Sequence, residues 1–225
     1  MKVFPVVHVN EPSVAVEQAH VALELNADGV YLIDHHADSD NERLFQTFSW
    51  LTAKHPDSYV GMNVLNRRPL DALRSLLGAF VAPSALWADD AKAEPSFGAV
   101  KAFRDEVPFL KSVRYLGGVS FKYTPDFTED PEAATRQVAE NMDRVDVVVT
   151  SGAGTGNPPT VAKIKAMKEA AGTLAVASGI SLENMEDYAG LIDEVLVASS
   201  VETVQYSGIF DTKKLGQFID MAHEL

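Results

Sequence analysis

Short runs of apolar, often β-branched residues alternate along the whole chain with segments of helical periodicity. Most of these runs lack a polar residue at every second position, which is typical of strands buried on both faces of a parallel sheet. The pattern predicts eight strands, at residues 3–9, 29–34, 59–65, 79–87, 113–122, 146–150, 174–178 and 194–198.

Between the predicted strands, apolar residues recur at the three- and four-residue spacing of an amphipathic helix. One such stripe is formed by Leu215, Phe218, Ile219 and Ala222, and an earlier one by Leu182, Met185 and Ala189. The count is eight strands and eight helices in 225 residues, or about 28 residues per strand–helix unit. This size favours one (β/α)8 TIM barrel over residues 1–225, because open doubly wound sheets usually stop at fewer strands.

Composition and charge narrow the classes of partner. The chain has 19 Lys and Arg against 32 Asp and Glu, a formal charge of -13. Phosphate backbones are neutralised by clustered cations, so nucleic acid is not expected as a partner. The absence of cysteine excludes disulfides, thiolate zinc sites and cysteine nucleophiles.

The chain shows no sign of a membrane segment. Its first residues become polar too early for a secretion signal, and no apolar run approaches the length of a membrane span. We therefore expect a cytoplasmic protein without an integral membrane segment. Self-association as a homo-oligomer is compatible with the fold, but no feature of the sequence determines it.

Polar side chains concentrate where the predicted strands end. In a barrel of this kind the loops that follow the strands build the active site. His8, Asp34 and Lys122 belong to the first, second and fifth of these ends, and they are the candidate catalytic acid–base or electrophilic groups. Asn63, near the end of the third, would orient a ligand. A solvated rim lysine is the competing interpretation of Lys122.

A glycine-rich stretch follows the sixth predicted strand and contains Gly152, Gly154 and Gly156. Glycines let backbone amides approach an oxyanion closely, and the helix that follows would offer a positive N-terminal end. The stretch lacks the Lys-Ser/Thr ending of a P-loop and does not fit the dinucleotide fingerprint. A tight strand–helix turn remains the alternative interpretation.

The ends of the seventh and eighth predicted strands are where many barrels bind a phosphate. Ser178, Gly179, Ser199 and Ser200 lie there and are the candidate anion ligands. Ala198 stands where phosphate-binding barrels commonly place a glycine. Plain turns that cap the next helices are the competing interpretation.

A metal site is the third kind of chemistry considered. His8, Asp34, His35 and Asp89 could meet across the mouth, but their spacing is generic. The adjacent residues His35 and His36 would point to opposite faces of an extended strand and so could not chelate one ion together. No metal and no cofactor is therefore assigned.

Two segments resemble the BtpA/SgcQ family. Residues 61–66 (Gly-Met-Asn-Val-Leu-Asn) and 150–159 (Thr-Ser-Gly-Ala-Gly-Thr-Gly-Asn-Pro-Pro) are similar to that family's third strand and to its turn after the sixth strand. The resemblance covers most of the chain and is strongest after about residue 145. It implies a ribulose-phosphate-binding TIM barrel without a settled activity. One family member is associated with photosystem I biogenesis, and others occur in organisms that do not photosynthesise.

Several positions depart from the family pattern. The first-strand segment, usually of V-H-L-P-P-L-P-G type, is shortened at residues 7–12 to Val-His-Val-Asn-Glu-Pro. Asp34-His35 replaces a Glu-Asn pair, Lys122-Tyr123 replaces Lys-His, and Ala198 replaces a glycine. These changes cluster at the predicted mouth, so we expect the ligand to differ from that of typical members.

Three functions are consistent with the sequence. The leading hypothesis is an enzyme, or a former enzyme, that binds a phosphorylated sugar or nucleotide-like small molecule at the carboxyl ends of the strands. The second is a non-catalytic assembly factor, as the photosystem association of the family suggests. The third is a metal-dependent hydrolase or lyase that uses the four residues named above.

Overall fold

A computed structural model describes residues 1–36, 41–65, 67–94 and 96–225. Eight parallel strands pair in chain order, and the first also pairs with the eighth, so the sheet closes into a barrel. This confirms the predicted barrel. The strands are β1 (Lys2–His8), β2 (Val30–Ile33), β3 (Val60–Asn63), β4 (Ala85–Ala88), β5 (Arg114–Gly118), β6 (Val147–Thr150), β7 (Leu174–Ala177) and β8 (Glu194–Val197).

Seven α-helices surround the barrel in the described part of the chain. They are α1 (Pro12–Glu24), α2 (Glu42–Lys54), α3 (Pro69–Gly78), α4 (Ala99–Glu106), α5 (Pro131–Asn141), α6 (Val161–Ala170) and α7 (Thr212–Glu224). None of these helices is long and apolar enough to cross a membrane, as judged over the residues described.

The predicted count of eight α-helices is wrong after β7. The segment there forms only a 3-10 helix, Met185–Tyr188. The Asn184 side chain accepts from the Ser181 amide and donates to the Gly179 carbonyl, which holds the chain in a tight turn directly after the strand. Gly190, at φ +70°, then turns the chain towards β8 after a single short helical segment.

Side chains alternate between two apolar layers because successive residues of a strand point to opposite faces. One layer lies between the strands and the helices, and the other fills the lumen. Within the lumen, Tyr31 packs edge-on against Trp87, and a Cβ at Gly61 would lie only 2.2 Å from the Tyr31 ring. Glycine at position 61 therefore gives the tyrosine room to cross the barrel.

An ion pair closes the amino-terminal end of the lumen. Arg114 of β5 donates to the Glu194 carboxylate of β8 at 2.9 Å and to the Tyr59 hydroxyl at 3.2 Å. Tyr59 in turn lies 3.2 Å from the Tyr31 hydroxyl. These side chains fill the amino-terminal end of the lumen, and open space is left at the carboxyl ends of the strands.

Candidate functional site

A cavity of about 690 Å³ opens at the carboxyl ends of the strands. Side chains with titratable groups line one wall, on the β1 to β5 side: His8, His35, Asp89, Lys122 and Tyr123. Hydroxyls and backbone line the opposite wall, after β6 to β8: Thr155, Gly156, Asn157, Ser178, Gly179, Ile180, Ser199 and Ser200. The loop after β8 adds Gln205 and Tyr206 at the rim.

His8 lies where the sequence predicted, at the carboxyl end of β1. Its side chain is buried, and its Nδ1 lies 2.8 Å from Oε1 of Glu202, whose side chain is fully buried. The His8 ring contacts the His35 ring at 5.1 Å between centroids and the Tyr206 ring at 5.4 Å. Partial burial lowers the pKa of His35, and the nearby His8 lowers it further.

Asp34 does not line the cavity. Its buried carboxylate accepts from the His36 amide at 2.9 Å and from Nε of Arg43 at 3.2 Å. The alternation of side chains along β2 explains this placement, because Tyr31, Ile33 and then His35 point inwards. His35 therefore occupies the position in the cavity that Asp34 was expected to fill.

Lys122 lines the cavity from the loop after β5, four residues past the strand end at Gly118 and not within the strand as predicted. Its amide donates to the Ser151 hydroxyl at 2.8 Å, and Nζ lies 3.4 Å from the Thr155 hydroxyl. Burial lowers the pKa of Lys122, and the nearby Asp89 carboxylate opposes that shift.

Asn63 acts from beneath the cavity surface. It is buried at the end of β3, and its side-chain amide donates to the Asp89 carboxylate at 2.9 Å. Burial raises the pKa of Asp89, while Asn63 and Lys122 lower it. Asn63 therefore orients Asp89, which in turn faces the cavity.

The loops after β6 and β7 are joined through Ser178. Its hydroxyl accepts from the Gly156 amide at 3.0 Å and lies 3.3 Å from the Gly154 carbonyl. Ser178 has φ +130° and Gly179 has φ +82°, values that are rare for residues with a side chain. The strain belongs to Ser178, since glycine adopts positive φ freely, and strained residues of this kind cluster at active sites and ligand clamps.

Ser199 and Ser200 line the cavity directly after β8. The Ser200 hydroxyl donates to the Ile180 carbonyl at 2.8 Å and so links the last two loops. The chain then turns, with the amides of Val201 and Glu202 bonded to the Ala198 carbonyl. Within the described ranges, the backbone amides of Gly179, Ile180, Ser199 and Ser200 donate to no protein acceptor.

The three glycines predicted to let the backbone approach a ligand have different surroundings. Gly156, at φ +81°, lines the cavity. Gly152 is buried beneath the following residues, where a Cβ would lie 2.3 Å from the Asn157 carbonyl oxygen. Gly154 faces the Tyr123 hydroxyl and does not line the cavity.

Among the residues that the structure describes, no three His, Asp or Glu side chains are arranged to hold a metal ion. Of the four residues considered for a metal, His8, His35 and Asp89 line the cavity and Asp34 points away from it.

Sequence reasoning missed Glu202 because it lies in the loop after β8, five residues beyond the strand end at Val197. No local motif marks it, and only the fold brings it to His8. His35 and Asp89 were predicted only as candidate metal ligands, and the inward parity of β2 and β4 would also have indicated that they line the cavity.

The family model of the BtpA family matches residues 59–224. This range covers all of the candidate site except the contributions of β1, β2 and the loops that follow them. The chain belongs to the BtpA family. No curated protein matches it.

Solved structures resemble this BtpA-family chain over its full length. The phosphoribosyl anthranilate isomerase of Thermus thermophilus is 18% identical with a TM-score of 0.67, and all of both chains is covered. The corresponding enzyme of Thermotoga maritima is 16% identical with a TM-score of 0.68, covering 99% of this chain and 100% of that one.

A third similar structure contains a phosphorylated substrate. It is the (S)-3-O-geranylgeranylglyceryl phosphate synthase of Thermoplasma acidophilum in complex with sn-glycerol-1-phosphate. It is 15% identical with a TM-score of 0.71, and 100% of this chain and 94% of that one are covered. At these identities the likeness shows a shared barrel fold.

Proposed function

We propose that this protein binds a small phosphorylated ligand at the barrel mouth, with its phosphate on the loops after β7 and β8. The observation that carries the proposal is the group of unbonded backbone amides at Gly179, Ile180, Ser199 and Ser200, found within the described residues and all at the cavity wall. Amides oriented by tight turns bind anions without a cationic side chain.

In this proposal some serine hydroxyls of the same wall hold the loops together, and another binds the phosphate. Those of Ser178 and Ser200 hold the loops together, as the hydrogen bonds to Gly156 and Ile180 show. The Ser199 hydroxyl has no protein partner in the described part of the chain, so it is free to donate to a phosphate oxygen. Gly156 adds a position where a ligand can approach the backbone closely.

The size of the cavity and its opposite wall indicate the rest of the ligand. A volume of about 690 Å³ lies within the range of small-molecule sites. Lys122, His35 and Asp89 would contact the part of the ligand beyond its phosphate. Hydroxyl and carbonyl groups would match these donors and acceptors, so a sugar phosphate is the expected class. The similar synthase in complex with sn-glycerol-1-phosphate supports the coarser class, a small hydroxylated phosphate ester.

Thermal unfolding tests the proposal with inorganic phosphate, ribose 5-phosphate and sn-glycerol 1-phosphate, and the two esters are compared with ribose and glycerol. At about ten times its Kd, a ligand should raise Tm by about 3–5 °C. Ser199→Asp should abolish the shift, because a carboxylate would occupy the anion position and repel the phosphate.

The control variant is Ser49→Asp on the exposed surface of α2, which adds the same charge far from the mouth. It should retain the full shift. The proposal fails if none of the three phosphates raises Tm, or if Ser199→Asp responds to them as the native protein does.

A further inference from the structure

The hydrogen-bonded pair of His8 and Glu202 is closely constrained at the mouth. The Glu202 side chain is fully buried, and its carboxylate has three partners. Oε1 lies 2.8 Å from Nδ1 of His8 and accepts from the Gly208 amide at 3.0 Å. Oε2 accepts from the Tyr206 amide at 2.8 Å. Both oxygens therefore act as acceptors.

Gly208 allows this arrangement to form. Its φ is +69°, and a Cβ there would lie 2.7 Å from the His8 carbonyl oxygen. A residue with a side chain would push the loop after β8 away from β1. The loop thus closes over Glu202 and holds its carboxylate against the imidazole.

The contacts of Glu202 determine which nitrogen of His8 carries the proton. A carboxylate that accepts through both oxygens takes the Nδ1–H of the imidazole as its third donor. The neutral ring then has its lone pair on Nε2. In the described residues Nε2 has no hydrogen-bond partner, and His8 lines the cavity.

His8 also lies beside the proposed phosphate position. β1 and β8 are neighbours in the barrel, with Pro5 paired with Val197, and both His8 and Ser200 line the cavity three residues beyond this pair. Neighbouring strands are about 4.8 Å apart. A phosphate bound at Ser199 and Ser200 would place the next few atoms of its ligand near the His8 ring.

We infer that Nε2 of His8 is the proton-accepting group for the phosphorylated ligand, and that Glu202 is the positioning residue that fixes its tautomer and stabilises the imidazolium. The inference rests on the proposed function. The proton would leave a ligand hydroxyl, or a carbon next to a carbonyl, and bind to Nε2. Its electron pair stays on the ligand, and the imidazolium returns the proton, so no co-reactant is consumed.

The other groups that face His8 are the His35 ring, at 5.1 Å between centroids, and the Tyr206 ring, at 5.4 Å. Neither ring bears a carboxylate. Glu202 is therefore the anion in direct contact with His8 among the described residues, and its removal should act on the imidazole specifically.

Nitrogen NMR of the intact protein tests the inference, with the His8 signal assigned by its loss in His8→Gln. In the neutral form of the His8 ring, the native protein should carry the proton on Nδ1. Glu202→Gln should reduce the share of this tautomer, because the carboxylate that accepts the Nδ1–H is lost. Glu202→Asp keeps a carboxylate and should preserve more of the Nδ1-protonated ring.

Ribose 5-phosphate is the ligand probe, and its binding is measured separately through Tm. The inference is supported if the sugar phosphate raises Tm and shifts the Nε2 signal of His8. A proton on Nε2 in the native protein would overturn it, and this readout remains decisive if Glu202→Gln does not fold. A rise in Tm without a shift at His8 would also overturn it. Absence of any rise in Tm would instead refute the proposed phosphate binding, on which the inference depends.

Discussion

Lys163 of α6 is a fully buried cation that holds together two loops of the site. Its Nζ donates to the Ser120 carbonyl at 2.9 Å and to the Ser151 carbonyl at 2.8 Å. The ammonium also lies 4.7 Å from the centre of the Phe127 ring. Because Ser151 bonds the Lys122 amide, Lys163 supports the position of that cavity-lining lysine indirectly.

Burial lowers the pKa of Lys163 from 10.5 to about 8, and Glu129 opposes the shift. Between these two values the unfolded chain binds the proton that the folded protein releases, so the free energy of unfolding must rise with pH. Between about pH 7.5 and pH 9.5, the free energy of unfolding of the native protein should rise by about 2 kcal/mol relative to that of Lys163→Met.

Urea unfolding of both proteins at the two pH values measures this difference, since the other titrating groups are common to both. A difference that is constant with pH would show that Lys163 keeps its ordinary pKa in the folded protein, and one that falls with pH would show a raised pKa; either result would contradict the prediction.

At the scale of elements, the mouth is built by the packing of one loop against another. The loop after β6 crosses the end of β7, and a Cβ at Gly179 would lie 2.2 Å from the backbone nitrogen of Pro158. On the other side of this loop, Gly152 meets the Asn157 carbonyl. Glycine is required at both positions because the backbone of Asn157 and Pro158 approaches each of them closely.

Gly179→Ala and Gly190→Ala form a matched pair of variants. Both positions have positive φ, but a Cβ at Gly190 would meet no atom within 4 Å. Gly190→Ala should cost about 1 kcal/mol of backbone strain. Gly179→Ala should cost about 2–4 kcal/mol, since steric overlap adds to that strain.

The free energy of unfolding in urea measures both costs. Only Gly179→Ala should also weaken the Tm response to ribose 5-phosphate. Equal costs for the two variants would contradict the proposed loop packing.

At the scale of the whole molecule, one ion pair spans the lumen and joins opposite sides of the barrel. Arg114 belongs to β5 and Glu194 to β8, and Glu194 is almost completely buried. A carboxylate removed from water in this way is stable only while its cation is present.

Arg114→Met should destabilise the protein by about 3–5 kcal/mol, because Glu194 would be left as an unpaired buried charge. The double variant Arg114→Met/Glu194→Leu should recover most of that loss. A double-mutant cycle in urea measures the coupling. A coupling near zero would mean that the pair does not stabilise barrel closure.

The order of strands and helices is predictable because burial on both faces leaves apolar runs that can be recognised locally. The helix after β7 is the exception, since the Asn184 side chain shortens the segment through bonds to Ser181 and Gly179. Strand ends are also harder to predict. Lys122 was placed within a strand because apolar residues continue past Gly118 into a buried loop.

The candidate site was predictable only in part. A residue of inward parity at the end of a strand, such as His8, is predictable as part of the mouth because strand ends meet there. Asp34 was selected by residue type, but the alternation along β2 directs it away from the lumen and directs His35 inwards. Glu202 could not be found, because its contact with His8 joins residues that are 194 positions apart.

The amino-acid sequence by itself determined the barrel and the end of it that carries polar groups, since both depend on hydrophobic periodicity within each segment. Tertiary structure decided which groups meet: Glu202 with His8, Asn63 with Asp89, and the loop after β6 with Gly179. The physical reason is that burial leaves a local pattern in the chain. A contact across the mouth depends on strand register and loop packing, which exist only once the ring has closed.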